Sequence, residues 1–442
     1  MLKKILNNLL LLYLFLLPWQ AVYIFAERFL GGAKWQYGTG QIFLTEPLLW
    51  LIALIFAIDQ INRKGFKSLL PDFKFSTTAD KKRMGVIAVV WLFILWSGLS
   101  VIWSPDQSAA YYLWLRVLEG AALMLIILNS DLRLKSILWV LVASTWPVAL
   151  LAVGQFLTQS NFSSVILGLS PHSAAVLGDT VIDTSSGRWL RAYGPFSHPN
   201  ILGGYLALAL GAVLILWQKI AWPAYPSKKL EGQRIFLLST ACLISLGLFC
   251  SFSRSAWLAA FVTLILCLGY WLKTKSPWPR YIAVVLAPFL IFAACFAIFN
   301  PLIIARADLS NRLESNSLMQ RETQIFQALD LIASRPLGGA GLNNYTYLLH
   351  RQAPGSPAYL LQPVHNFYLL VLAELGLVGL LIILGLLYAA IKNRKSFLVL
   401  LPLTALLIIG LFDHYLFTQY AGLMIFWLAL TLVIFDDKVE NQ

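Results

Sequence analysis

The chain has 442 residues, of which 59% are hydrophobic and only 12% are charged. Apolar runs of nearly twenty residues recur along it, which excludes an ordinary soluble protein and indicates a polytopic membrane protein. The net charge of +13 would suit a nucleic-acid partner, but the basic residues are spread over short loops between the apolar runs. Membrane topology explains that distribution better, so we expect no nucleic-acid partner.

Hydropathy predicts an all-α polytopic fold with about twelve transmembrane helices, in a single integral membrane domain over residues 1–442. The predicted spans cover residues 5–26, 42–58, 84–103, 110–128, 137–157, 200–218, 235–250, 254–272, 280–299, 366–391, 397–412 and 420–435. No small-residue cleavage site follows the first span, which continues into Glu27-Arg28, so we expect it to be retained. All four cysteines lie in apolar runs, which indicates packing roles rather than a disulfide or a metal site.

Basic residues divide unevenly between the two sides of the predicted bundle. The loops after spans 2, 4, 6, 8 and 10, with both termini, hold sixteen Lys and six Arg, which places both termini in the cytoplasm. The opposite side holds Arg28, Lys34, Arg188, Arg191, Arg254, Arg306, Arg312, Arg321, Arg335 and Arg351. A guanidinium fork matches phosphate oxygens and an ammonium does not, so this bias favours phosphate recognition. The alternative, that outer loops only exclude Lys, leaves the many Arg unexplained.

Two outer loops are long, at residues 158–199 and 300–365, and we expect both to fold over the membrane surface. In the second, residues 319–334 are predicted to form a helix that carries Arg321 in its first turn, on its apolar face. Arg335-Pro336 ends this helix, and the glycine-rich turn that contains Gly339 and Gly341 follows.

Three segments are predicted to meet at the outer face: Arg191 through Asn200 before span 6, Ser253-Arg254-Ser255 at the start of span 8, and His365-Asn366 before span 10. A helix N-terminus favours an anion and disfavours an added cation. Arg254 in such a position, and Arg321 in the first turn of its loop helix, therefore indicate a bound polyanion with two phosphates. Structural alternatives exist for both side chains. Arg254 can extend to lipid headgroups, and Arg321 can pair with Glu314 or Asp330.

His365 is the candidate general base, because a neutral imidazole can take the proton of a hydroxyl that attacks carbon. The alternative is a histidine that is simply hydrogen-bonded at the membrane interface. His198 is interpreted as a capping or loop residue and His172 as a surface residue. His414 beside Asp413 is a possible supporting pair.

The order His365-Asn366, nine residues, Gly376, two residues, Gly379 resembles the pattern at the end of the large outer loop in the O-antigen ligase and polymerase superfamily. Leu380 follows, where ligases more often have Gly, Thr or Tyr. The resemblance extends to three further motifs: Ser253-Arg254-Ser255, Arg321 with the helix and the Gly339 and Gly341 turn after it, and Arg191 through Asn200.

This resemblance implies a GT-C-like, metal-independent and cofactor-free glycosyltransferase at the outer face of the bacterial cytoplasmic membrane. Arg254 and Arg321, helped by Arg191, are then expected to bind the diphosphate of an undecaprenyl-diphosphate-linked glycan donor. His365 would deprotonate the hydroxyl of a lipid, glycan or protein acceptor, with inversion at the sugar carbon. Ser253, Ser255, Asn366, Gly339, Gly341, Gly376 and Gly379 are the supporting positions.

Other functions are compatible with parts of this pattern. A surface-polysaccharide polymerase of the same superfamily shares the chemistry. A flippase for the same lipid would bind headgroups without chemistry, but a transporter needs polar groups near the midplane of several spans. A membrane scaffold does not explain the positions of the Arg and His residues.

Overall fold

The computed structural model describes residues 2–65, 78–221, 227–275, 281–356 and 360–435, and these are mostly helical. The helices are α1 Leu2–Leu16, α2 Thr45–Lys64, α3 Thr78–Trp103, α4 Gln107–Asn129, α5 Leu134–Thr158, α6 Pro199–Ala221, α7 Lys228–Ser251, α8 Arg254–Lys273, α9 Ile282–Ile298, α10 Asn300–Ala307, α11 Arg312–Ser334, α12 Tyr345–Gln352, α13 Phe367–Lys392, α14 Leu401–Gly410, α15 Tyr415–Thr418 and α16 Tyr420–Ile434.

Eight helices within the described residues are long and apolar enough to cross a membrane, and a ninth span results if α9 and α10 count together across their 87° bend. An integral membrane protein is therefore confirmed, but the predicted count of twelve spans is not supported. The prediction overcounted because α1, α14 and α16 are apolar but have only 15, 10 and 15 residues. At about 1.5 Å per residue, such helices are shorter than a hydrocarbon core of about 30 Å. The GT-C-like detail stays a prediction.

The first predicted span, residues 5–26, is wrong in its second half. Helix α1 ends at Leu16, and Val22–Ala26 forms strand β1, which pairs antiparallel with β4, Gly40–Phe43. Pro18 explains the stop, because proline lacks a backbone N–H and clashes with the preceding helical turn. The remaining strands form short antiparallel pairs: β2 Phe29–Leu30 with β3 Ala33–Lys34, β5 Ser160–Asn161 with β6 His172–Ser173, and β7 Val181–Thr184 with β8 Gly187–Leu190.

Helix α6 lies at the centre of the helical core. Its side chains are apolar on all sides, and 94% of the residues in its apolar stretch are buried. A helix that is hydrophobic all round needs neighbours all round, and α5, α7, α8 and α14 surround this one. Its N-terminal part packs against the start of α8, since Gly203 lies beside Ser253 and Ala256.

Two segments outside the core carry most of the non-spanning structure. Residues 158–199 hold strands β5 to β8, and the segment between α9 and α13 holds α10, α11 and α12. Helix α11 packs against α13 and α10 packs against β7, so both segments lie over the same end of the bundle. The prediction that α11 begins at Met319 is wrong. The helix begins at Arg312, where the Asn311 side chain caps it by accepting the Leu313 N–H at 3.1 Å.

Topology relative to the cytoplasm stays a prediction. Four of the basic residues used for it, Lys67, Lys74, Arg280 and Lys438, lie outside the described residues.

Candidate functional site

One cavity of about 810 Å³ brings the four principal predicted residues together. Arg191, Arg254, Arg321 and His365 all line it. His198 and Asn200 at the start of α6, Arg254 and Ser255 at the start of α8, and His365 before α13 contribute to the same wall. The three helix N-termini that the sequence placed on one side therefore converge on a single space.

The cavity is strongly cationic. Its lining includes a single carboxylate, that of Asp179, and six arginines: Arg188, Arg191, Arg254, Arg306, Arg312 and Arg321. These six come from the outer set of nine arginines that the charge distribution singled out. Because the space also lies at helix N-termini, whose partial charge is positive, it is suited to a multiply charged anion.

Arg254 is the first residue of α8, as predicted, and its side chain is 42% exposed. Its guanidinium lies 3.0 Å from the buried carboxylate of Glu314 and donates to the Arg306 carbonyl oxygen at 3.2 Å. Arg306 forms an ion pair with the other oxygen of Glu314. One buried carboxylate thus holds two guanidinium groups at the cavity wall, and the partly exposed side chain of Arg254 lines the space.

Arg321 differs from Arg254 because its guanidinium has no ion pair or hydrogen bond within the described residues, so the pairing with Glu314 or Asp330 is not formed. The prediction that it lies in the first turn of its helix is wrong, since α11 begins at Arg312. Arg321 instead reaches the cavity from the middle of α11. Burial lowers the pKa of Arg321, and the attraction of Asp413 opposes that shift. A charged group without a protein partner is available for a ligand.

Arg191 is engaged by the protein. Its Nε donates to the Ser251 carbonyl oxygen and its Nη2 donates to the Asn200 side-chain oxygen, each at 2.8 Å. Asn200 in turn donates to the Asp413 carboxylate at 2.7 Å. Arg191 therefore ties the start of α6 to the end of α7 and to Asp413, with a smaller share of its hydrogen bonds left for a ligand.

His365 is held by Gln324 on α11. The Gln324 side-chain oxygen lies 2.7 Å from Nδ1 of His365, so Nδ1 carries the proton and donates it. This hydrogen bond leaves Nε2 as the unprotonated nitrogen. Burial lowers the pKa of His365 and the charge of Arg321 adds to that effect, while Asp413 opposes it. The imidazole is therefore neutral near pH 7, as a general base must be.

The possible supporting pair His414 and Asp413 lies near His365, and His198, which was interpreted as a capping or loop residue, is close to the same group. The ring of His414 lies edge-on to that of His365, with centroids 5.1 Å apart. Burial lowers the pKa values of His198 and His414 to about 3. Burial alone would raise the pKa of Asp413, but the surrounding histidines and Asn200 lower it instead. The buried carboxylate of Asp413 thus interacts electrostatically with three imidazoles, those of His198, His365 and His414.

Among the supporting polar residues, Asn366 caps its helix, whereas the Ser253 side chain makes no capping hydrogen bond. The Asn366 side chain accepts the Leu369 N–H at 2.9 Å, so it caps α13, and it donates to the Leu411 carbonyl oxygen at 3.0 Å. Ser253 precedes the first residue of α8, and its hydroxyl lies 3.4 Å from that of Ser255. These contacts fix the positions of His365 and Arg254.

The supporting glycines form a backbone lock between the glycine-rich turn and α13. Helix α13 is broken at Gly376, where φ is +67°. The Leu377 N–H donates to the Pro336 carbonyl oxygen at 2.8 Å, and the Gly341 N–H donates to that of Glu374 at 2.9 Å. A Cβ on Gly339 would lie 2.4 Å from the Glu374 backbone, and one on Gly376 would lie 2.1 Å from the Leu337 oxygen. The motif glycines therefore act in packing, and Gly379 lies against Leu375 and Trp96.

Charged residues inside the spans have structural partners. Glu374 accepts the N–H groups of Asn343 and Tyr345 at 2.7 and 3.3 Å, away from His365. Arg116 lies 3.5 Å from Glu46. The Trp50 indole donates to Glu119 at 2.9 Å. No group of three or more His, Cys, Asp or Glu side chains in the described ranges is arranged to hold a metal ion, and metal independence stays a prediction.

Residues 239–384 match the family model described as O-antigen ligase. The match runs from α7 into α13 and includes Arg254, Arg321, His365 and Gln324. Arg191, Asp413 and His414 lie outside it. No curated protein matches the chain.

Proposed function

We propose that this chain is a membrane enzyme of the O-antigen ligase superfamily, whose family model matches residues 239–384, and that it transfers a glycan from an undecaprenyl-diphosphate carrier to an acceptor hydroxyl. The observation that carries the proposal is the meeting of His365, Arg254 and Arg321 on one cavity. The reaction belongs at the outer face of the bacterial cytoplasmic membrane, with both termini in the cytoplasm.

The arginines are assigned to the donor diphosphate. Arg321 has no partner in the described part of the chain. Arg254 forms an ion pair with Glu314, and its side chain remains partly exposed. Charge-assisted hydrogen bonds from two guanidinium forks match two linked phosphates. Their contribution grows as negative charge develops on the leaving diphosphate, which is the condition for transition-state stabilisation.

His365 is assigned to the acceptor. Because the hydrogen bond with Gln324 keeps the proton on Nδ1, Nε2 is free to accept the proton of the acceptor hydroxyl. The acceptor oxygen then forms a bond to the anomeric carbon on the face opposite the diphosphate. The bond from that carbon to the diphosphate oxygen breaks, the electron pair leaves with the diphosphate, and the sugar carbon is inverted. The proton on His365 is afterwards released to solvent.

A polymerase of the same superfamily would use this site without change, since only the acceptor differs. The ligase assignment therefore concerns the acceptor, which is a lipid, a glycan or a protein. A flippase is the alternative of another class. It would use the arginines to hold the headgroup and would have no use for a neutral histidine held in one tautomer.

Reconstitution into liposomes separates these functions. The vesicles contain a lipid-linked oligosaccharide with a fluorescent glycan, and candidate acceptors are added outside. We expect the wild type to move the label to an acceptor and to release undecaprenyl diphosphate. Movement of the labelled lipid between leaflets without any glycan transfer, equal in the wild type and in His365→Ala, would instead identify a transporter.

A further inference from the structure

A second cavity, of about 180 Å³, lies behind the wall of the arginine cavity. The two share the segment from Gly194 to Ile201: His198 and Asn200 line the arginine cavity, while Gly194, Phe196, Ser197 and Ile201 line the second one. The second cavity, here called the amide cleft, is closed on its other sides by the β1–β4 hairpin, the turn near Asn161 and the start of α16.

The amide cleft has the opposite chemical character to the arginine cavity. Its lining contains no Lys, Arg, Asp or Glu. The polar groups are instead the imidazole of His172 and a set of carboxamides and hydroxyls, among them those of Gln36, Gln41, Gln419, Asn161 and Ser197. With no arginine or lysine, and with the His172 imidazole already 2.7 Å from the Asp179 carboxylate, the cleft is poorly suited to a phosphate or a carboxylate.

Several of these amides lack protein partners. The side chains of Gln36, Gln41 and Gln419 make no hydrogen bond within the described ranges. Asn161 is buried, and its Nδ2 donates to the Ser170 carbonyl oxygen at 2.9 Å, but its Oδ1 has no partner. Gln36 is exposed and Gln41 and Gln419 are partly buried, so their amides are open to a ligand or to solvent. A buried polar atom is normally satisfied, so the unpaired Oδ1 of Asn161 indicates a polar ligand or ordered water.

The shape and lining suit an uncharged sugar. Each carboxamide offers two donors and one acceptor, which can pair with the neighbouring hydroxyls of a pyranose ring. The buried rings of Phe43 and Phe196 supply apolar surface for its C–H groups. At about 10–15 Å³ for each enclosed water molecule, the volume has room for on the order of a dozen heavy atoms, close to one hexose.

We propose that the amide cleft binds one uncharged sugar unit of a glycan substrate, separately from the diphosphate. The inference rests on the proposed function to the extent that a glycan is the substrate. The sugar can belong to the donor glycan or to the acceptor, and both present the same hydroxyl chemistry. The shared wall places such a sugar beside the segment that carries His198 and Asn200.

Saturation-transfer-difference NMR with free sugars tests this binding directly. The protein is purified in a detergent without a sugar headgroup and probed with glucose, galactose, mannose, rhamnose and N-acetylglucosamine. We expect at least one sugar to bind the wild type. The double variant Gln36→Ala/Gln419→Ala removes amides without protein partners, so the fold is not at risk. Its Kd should rise by about fivefold for each amide lost.

Gln320→Ala is the matched control, because Gln320 is an amide on the arginine cavity. The sugar signal should survive in Gln320→Ala and in the presence of inorganic pyrophosphate. No signal from any of the five sugars, an unchanged signal in the double variant, or displacement by pyrophosphate would each overturn the proposal.

Steady-state transfer distinguishes the two sources of the sugar. With a lipid-linked glycan from the cells that make this protein, the double variant should raise KM for the donor or for the acceptor, with kcat little changed. If the wild type transfers glycan but binds none of the free sugars, the proposed sugar site in the amide cleft is wrong and the proposed function stands. Sugar binding without glycan transfer would count against the proposed function and leave the cleft in place.

Discussion

The side-chain oxygen of Gln324 lies 2.7 Å from Nδ1 of His365, although the two residues belong to different elements, α11 and the turn before α13. Gln324 is buried, and its backbone carbonyl oxygen accepts the Tyr345 hydroxyl at 3.0 Å. The amide therefore has little freedom to turn, and it holds the imidazole with Nε2 unprotonated. On this basis Gln324 is a positioning residue for the base.

The first prediction concerns the pH dependence of glycan transfer. Burial and the charge of Arg321 lower the pKa of His365, so its base form persists to more acidic pH than that of an ordinary histidine. The acidic limb of kcat/KM should therefore have its midpoint below about pH 6.5. Gln324→Glu adds a negative charge beside the imidazole, raises its pKa and should move the limb to higher pH.

Asp413→Asn should move the same limb in the opposite direction, since Asp413 favours the protonated form of His365. Opposite shifts in the two variants would tie the titrating group to His365. An identical midpoint in the wild type and both variants would assign the limb to some other group.

The second prediction concerns Arg321. Arg321→Lys keeps the charge and removes the planar fork, so the Kd for undecaprenyl diphosphate should rise by about 10- to 100-fold, or about 1.5–3 kcal/mol. Binding is measured by quenching of tryptophan fluorescence in detergent. Arg351→Lys, an exposed outer arginine away from the cavity, is the matched control. Equal affinities in the two variants would exclude a bidentate contact from Arg321.

The third prediction concerns the backbone lock at Gly376. Gly376→Ala places a Cβ 2.1 Å from the Leu337 carbonyl oxygen, at a φ of +67°. We expect a loss of more than about 2 kcal/mol, seen as a thermal midpoint several degrees lower in detergent, or no folded protein. Gly385→Ala lies in the same helix with open space around it and should leave the midpoint unchanged or slightly higher. Similar midpoints for the two variants would refute a packing role.

The fourth prediction concerns sidedness. Ser317 lines the arginine cavity, and Ser396 follows α13 at its other end. A membrane-impermeant maleimide added to intact spheroplasts should label Ser317→Cys and should label Ser396→Cys only after permeabilisation. The reverse pattern would show that the cavity faces the cytoplasm and would contradict the proposed topology.

The convergence of Arg254, Arg191 and His365 could be predicted because each lies at a helix start, or in the segment that leads into one, on the same side of the bundle. The uneven distribution of basic residues between the loops predicted the side, and an apolar run predicted each helix. Arg321 was placed there by the same charge argument, but for the wrong local reason, since its helix begins at Arg312. Asn311 followed by Glu314 three positions later is a recognisable helix start. It was overlooked because the first turns of α11 are too polar to show an apolar period.

Gln324 could not be assigned from the sequence, and Asp413 was expected only as a possible supporting partner of His414, without its link to Asn200. An amide carries no charge, and its role depends on a hydrogen bond between segments 41 residues apart. Asp413 acts through Asn200, which lies 213 positions away. The strand Val22–Ala26 was predicted as the end of a span because its composition is apolar. Only Pro18 indicates that the helix stops before it.

The most direct test of the account measures donor binding and glycan transfer in the same His365→Ala preparation. His350→Ala is the control, because His350 lies on α12 away from the cavity. We predict that His365→Ala binds undecaprenyl diphosphate within about twofold of the wild type while its transfer rate falls by about 10²- to 10⁴-fold. His350→Ala should retain both. Transfer at the wild-type rate by His365→Ala, with the donor bound, would contradict the assignment of His365 as the base.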